Sequence, residues 1–107
     1  MFGRKRRYRV MLEGEGCSIR VGGDESDGTD GEVTSLGFVT TRFVEARSNE
    51  QAAAKASELV REELQALLVD QQADDIAVEV SEIEEDPGDY EERAPGSGFT
   101  FYRETVQ

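Results

Sequence analysis

Apolar and polar positions alternate from the start of the chain. In "RRYRVMLEG", Tyr8, Val10 and Leu12 fall on one side and Arg7, Arg9, Met11 and Glu13 on the other, the period of a half-buried strand. "EGEG" (13–16) reads as a turn, and "CSIRV" (17–21) alternates again through Cys17, Ile19 and Val21, so the pattern predicts a hairpin. "GGDESDGTDGEVTS" (22–35) has only Val33 as an apolar side chain and reads as a flexible acidic loop. "LGFVTTRFVEAR" (36–47) is rich in aromatic and β-branched residues, with Phe38, Thr40, Arg42 and Val44 on one face and Val39, Thr41, Phe43 and Glu45 on the other. Both faces are partly apolar. Either this strand is central and covered on both sides, or a bulge shifts its register near Thr40–Arg42.

The period then changes to that of a helix. Ser48 with Gln51 makes a capping-box pattern, and Ala53, Ala56, Val60, Leu64 and Leu67 trace one stripe, widened by Ala52, Leu59 and Leu68. The pattern predicts a helix over 49–69. "DDIAVEVSEIEED" (74–86) alternates at Ile76, Val78 and Val80 before Ile83 breaks the parity. "DPGDYEERAPGSG" (86–98) holds both prolines and reads as a polar loop, and "FTFYRE" (99–104) as a short aromatic strand. The order is βββαββ: one amphipathic helix on a small, mainly antiparallel sheet, a two-layer α+β architecture in a single domain spanning 1–107. One helix covers one sheet face. The apolar residues on the second face ask for another cover, and a second copy of the chain is the simplest candidate.

Two of these segments carry a resemblance. "LGFVTTRFVEA" ahead of a helix containing "ELVREEL", together with a terminal "GSGFTFYRE" after "VEVSEIEE", resembles a family of short bacterial proteins that has no assigned activity. The likeness covers roughly residues 8–13 and 36–104. A looser similarity of topology links the chain to HicB-type antitoxins, which run strand, strand, strand, helix, strand. Their usual "DLPGC"-like turn and DNA-binding tail are not visible here, and topology alone does not give function.

Composition narrows the chemistry. There are 24 acidic against 12 basic residues and no histidine, for a net charge of −12. Without histidine the commonest general base and metal ligand are both missing. An acidic body repels phosphate, which argues against nucleic-acid binding by the body of the protein. The single cysteine, Cys17, fits a reducing, cytoplasmic setting. The basic start is followed only by "VML" before Glu13, too short for a signal peptide, and no stretch is long and apolar enough to span a membrane.

Against that background sits a basic N-terminal arm: Arg4, Lys5, Arg6, Arg7 and Arg9. It can pair with the chain's own carboxylates, act as a solubilising terminus, or contact nucleic acid. The acidic loop fails as a calcium site, since neither frame starting at Asp24 nor at Ser26 puts both Gly at position six and a carboxylate at twelve. The carboxylates Glu58, Glu62 and Glu63, and Glu82, Glu84, Glu85 and Asp86, read as solvated surface rather than as acid/base pairs. Cys17 has no base to activate it and reads as a small core residue. "GEGCSIRVGG" lacks the Lys-Ser/Thr of a phosphate loop, and Tyr8, Tyr90 and Tyr102 have no base or cofactor motif beside them. Arg42 stands between apolar neighbours. It must pair with Glu45, Glu79 or another local acid, or hold an anionic ligand or a partner's carboxylate.

The sequence therefore implies a non-catalytic interaction module with no cofactor or metal, which homodimerises through its sheet. Thr41, Arg42, Phe43, Phe99, Phe101 and Tyr102, with Phe38 and Val39, form the expected contact surface; a protein partner is a further option. The alternative is an antitoxin-like or regulatory protein that reaches nucleic acid or an acidic partner through the basic arm.

Overall fold

The computed structural model describes residues 4–21 and 32–103. The chain runs through β1 (Arg6–Val21), β2 (Glu32–Ala46), α1 (Asn49–Gln65), a single 3-10 turn (Ala73–Asp75), β3 (Val78–Glu85), α2 (Tyr90–Arg93) and β4 (Thr100–Arg103). The strands make one antiparallel sheet in the order β3-β1-β2-β4, with α1 as the main helix. This is the expected α+β class, but the order is ββαββ rather than βββαββ.

The difference lies at "EGEG", where β1 continues instead of turning. Gly14 pairs with Phe38 and Cys17 with Leu36, so Glu15 and Gly16 together oppose Gly37. This is a β-bulge, and Gly16 takes its positive φ of 73°. The extra residue flips side-chain parity. Tyr8, Val10 and Leu12 before the bulge, and Cys17 and Ile19 after it, all enter the same core. The three strands before the helix, on which the HicB likeness rested, are thus two.

Strand β2 begins at Glu32, so residues 32–35 of the expected acidic loop are strand, while 22–31 lie outside the described residues. β2 pairs with β1 in unbroken register from Ala46 to Phe38, so no bulge occurs at Thr40–Arg42. Its two apolar faces reflect an inner strand. The face bearing Phe38 and Val44 joins the helix-side core, and Phe43 on the other face lies against Tyr90 and Arg93. The segment after β3 is therefore more than a polar loop. It turns into α2 after the buried Pro87, then places the Pro95 carbonyl where it accepts from Phe43 N–H at 2.9 Å.

Helix α1 starts as its sequence predicts. Ser48 Oγ accepts from Gln51 N–H at 3.1 Å, which satisfies a first-turn donor, and Gln51 Oε1 reaches back to accept from Arg47 N–H, just before the cap, at 2.7 Å. Ala52, Ala56, Val60 and Leu64 are fully buried against Val10, Leu12, Phe38, Val44 and Ala46. Each large apolar side chain buried in this way contributes about 1.5–3 kcal/mol. The helix ends at Gln65 rather than 69. Leu68 leaves it to bridge Ile19, and Leu67, expected on the buried stripe, is exposed. Gln71 then stands in for a missing strand beside the bulge: its Oε1 accepts from Ser18 N–H and its Nε2 donates to Gly16 O, each at 2.8 Å.

β3 is shorter than its expected range of 74–86. It carries the second parity change, because Leu12 pairs with Val80 while Met11 pairs with Glu82. Ser81 is the extra residue, and its hydroxyl donates to Met11 O at 3.3 Å. Ile83 thereby returns to the side of Val78 and Val80 and packs on the core.

Candidate functional site

Arg42 is the largest fully buried side chain, 1% exposed, and it sits where β2, α1 and the chain entering β4 converge. Alternation along β2 points it to the helix side. Burying a guanidinium is tolerable only if its donors are used. Nη1 donates to Thr40 Oγ1 and, at 2.8 Å, to Thr41 O; Nη2 donates to Glu63 Oε2 at 2.6 Å and to Gly98 O at 3.1 Å. Glu63 Oε1 also accepts Gly98 N–H at 2.7 Å, and Thr40 Oγ1 donates to Gly98 O at 2.6 Å. The guanidinium lies 5.3 Å from the Phe99 ring centroid. This closed network fastens the segment before β4 to both the helix and the sheet.

The acid opposite Arg42 is thus Glu63, not Glu45 or Glu79. Sequence reasoning placed Glu63 on the wet face of the helix. The signal that could have found it is spacing: positions 56, 60 and 63 step by four and three, so Glu63 lies on the edge of the buried stripe.

The other expected contact residues divide. Phe38 is buried in the core and Phe43 is only 3% exposed, so neither offers free surface. Phe99 meets Phe38 edge-on at 5.2 Å and stacks with Phe101 at 5.5 Å, and both are half-buried against the core. Val39 and Thr41 are half-buried on the far face. Tyr102 is 40% exposed, and its ring covers Gly37, where a Cβ would come within 2.4 Å of it.

Strand pairing brings the basic arm opposite carboxylates. Arg6 binds Glu85; Arg7 binds Glu91 at 3.2 Å and lies 4.9 Å from the Tyr90 ring; Arg9 binds Glu84 at 2.9 Å and reaches Glu82 at 3.7 Å. The Glu85 contact raises the Arg6 pKa further. Arg4 and Lys5 are exposed ahead of the strand. Burial pushes the Tyr90 phenol pKa up, Glu45 adds to the rise, and Arg7 opposes it.

Cys17 is completely buried in the core. Glu58 and Glu62 are exposed on α1, as are Glu82, Glu84, Glu85 and Asp86 at the β3 edge. The calcium reading of the acidic loop falls in large part on residues 24–31, outside the described residues, and its last positions, from Glu32 on, belong to β2. Among the described residues no group of three or more His, Cys, Asp or Glu side chains is placed to share a metal ion, and no helix is long and apolar enough to cross a membrane. The depressions along α1 are open grooves lined by Ala53, Ser57, Glu58 and Arg61 on one side and by Leu59, Glu62 and Tyr90 on another. Comparison with family models, curated proteins and solved structures returns no match for this chain.

Proposed function

We propose that the protein is a non-catalytic interaction module that homodimerises through its sheet. The observation that carries this reading is Tyr102: a large aromatic side chain, 40% exposed, on the last strand of the sheet, with its ring over Gly37. Exposed tyrosines of this kind supply contact area at low entropic cost. The chain's most reactive-looking groups are already engaged in structure, with Cys17 sealed in the core and Arg42 closed on Glu63. The basic arm lends the nucleic-acid alternative little support, because a polyanion would have to displace Glu85, Glu91 and Glu84 from Arg6, Arg7 and Arg9.

The test is sedimentation equilibrium across a concentration series for the native chain and for Tyr102→Asp. Dimerisation weakened about tenfold by the substitution, with circular dichroism unchanged, supports the reading. A native chain that stays monomeric at every concentration sinks it.

A further inference from the structure

We infer that the depression between the 96–98 turn and β2 binds a small molecule with a single carboxylate on an apolar body. The inference does not rest on the homodimer reading above.

The depression measures roughly 460 Å³, within the size range of small-molecule sites. Its walls are fixed by contacts of the protein itself. The Pro95 carbonyl accepts from Phe43 N–H, and Gly98 is held by both Arg42 and Glu63. Gly96 passes so close to β2 that a Cβ there would lie 2.8 Å from Thr41 O. Gly96 and Gly98 take the positive φ values of 82° and 78° that this path needs, and Ser97 between them is exposed. A ligand does not have to order these walls, which lowers the cost of binding.

The lining selects the ligand. In a chain with 24 acidic residues, none of those lining this depression is Asp or Glu. Its cation is Arg93, exposed at the end of α2, with the guanidinium 5.6 Å from the Phe43 ring centroid. Asp89, one turn back on α2, takes Nη1 at 3.3 Å. That pair is exposed and weak, and a guanidinium has four further N–H donors with which to meet a carboxylate. Thr41, Ser97 and Thr100 add hydroxyls, and Val39, Phe43 and Phe99 form the apolar wall. The rest of the molecule limits the ligand's charge. A net charge of −12 repels polyanions, so one guanidinium favours a singly charged carboxylate over a phosphate group. Arg42, the anion holder expected from sequence, is closed on Glu63, and Arg93 takes that part instead.

The probe is phenylacetate, titrated into the isotopically labelled native chain while amide shifts are followed by NMR. Shifts at 39–43 and 93–100 should saturate with a Kd of about 1 mM, as for a small ligand with one strong contact. Phenethylamine, which carries a cationic head on the same ring, should leave these amides unmoved. Arg93→Gln should weaken phenylacetate binding about tenfold, and Arg93→Lys should restore part of it. Asp89→Asn removes the competing carboxylate without losing a cap hydrogen bond, and should tighten binding about threefold. No saturable shift at these amides, an equal response to phenethylamine, or an unchanged Kd in Arg93→Gln with circular dichroism unaltered overturns the assignment. The homodimer reading is decided separately, by sedimentation.

Discussion

At the scale of single residues, one buried cation organises the junction of three segments. Removing Arg42 takes the guanidinium donors from Glu63 Oε2, Thr40 Oγ1 and Thr41 O, and leaves Glu63 only the Gly98 N–H and Gly98 O only the Thr40 hydroxyl. Arg42→Ala should therefore destabilise the fold by about 3 kcal/mol, read as a lower urea midpoint. Glu63→Gln keeps an acceptor for one of its two partners and should cost roughly 1 kcal/mol. Two glycines make a sharper comparison. A Cβ at Gly14 would sit 2.4 Å from Phe38 Cε2, and one at Gly37 would sit 2.4 Å from Tyr102 Cζ. Phe38 is locked in the core, whereas Tyr102 can swing toward solvent, so Gly14→Ala should lower the melting temperature more than Gly37→Ala. Equal losses would mean that Tyr102 is held as firmly as Phe38. Tyr90 gives the residue scale a pH handle. Its raised pKa means that the folded chain holds the phenolic proton more tightly than the unfolded chain does. That contribution is fully present below pH about 10 and is lost as pH rises through the folded value. Tyr90→Phe should flatten the alkaline fall in stability, followed by denaturant titration above that pH.

Among the elements, the helix was legible because its buried stripe runs through successive turns, and β2 because of its aromatic and β-branched content, whereas β1 read as a hairpin. The capping pair Ser48 and Gln51 was readable as a local motif, and Ser48→Ala should cost about 1 kcal/mol in urea unfolding. The two bulges were not legible. At "EGEG" a turn and a glycine bulge ask for the same residues, and each resets the alternation between Leu12 and Cys17. What separates them is the partner strand, and its pairing of Gly14 with Phe38 and Cys17 with Leu36 is non-local. The parity break at Ile83 likewise marked a bulge that only the register against Met11 and Leu12 locates. Gly16→Ala should cost about 1 kcal/mol through its positive φ, with the helical signal in circular dichroism unchanged. The candidate site was half legible. Arg42 stood out as a charge in an apolar strand, but its partner comes from a helix 21 positions away and from Gly98, whose backbone groups carry no side-chain signal at all.

For the whole molecule, the excess of acid over base sets the response to salt. The exposed pairs of the arm are each worth about 0–1 kcal/mol and weaken when screened. The repulsion among 24 carboxylates is screened as well, and with only 12 cations to offset them it is the larger effect. Stability should therefore rise with sodium chloride, measured as an upward shift of the urea midpoint; a downward shift would show that the ion pairs dominate. The same screening should tighten dimerisation.

The path from β3 to β4 also bears on how the chain folds. β3 lies at one edge of the sheet and β4 at the other, and the segment before β4 is fastened through Arg42 to a helix carboxylate. That fastening has no target until α1 has docked on β1 and β2, so the last strand is a late arrival on the folding pathway. Phe101→Ala should leave the refolding rate in stopped-flow experiments nearly unchanged and express its cost as faster unfolding. A chain in which α1 has docked and β4 has not would hold a three-stranded, helix-backed core with β2 as an open edge, the kind of edge to which another chain can add a strand.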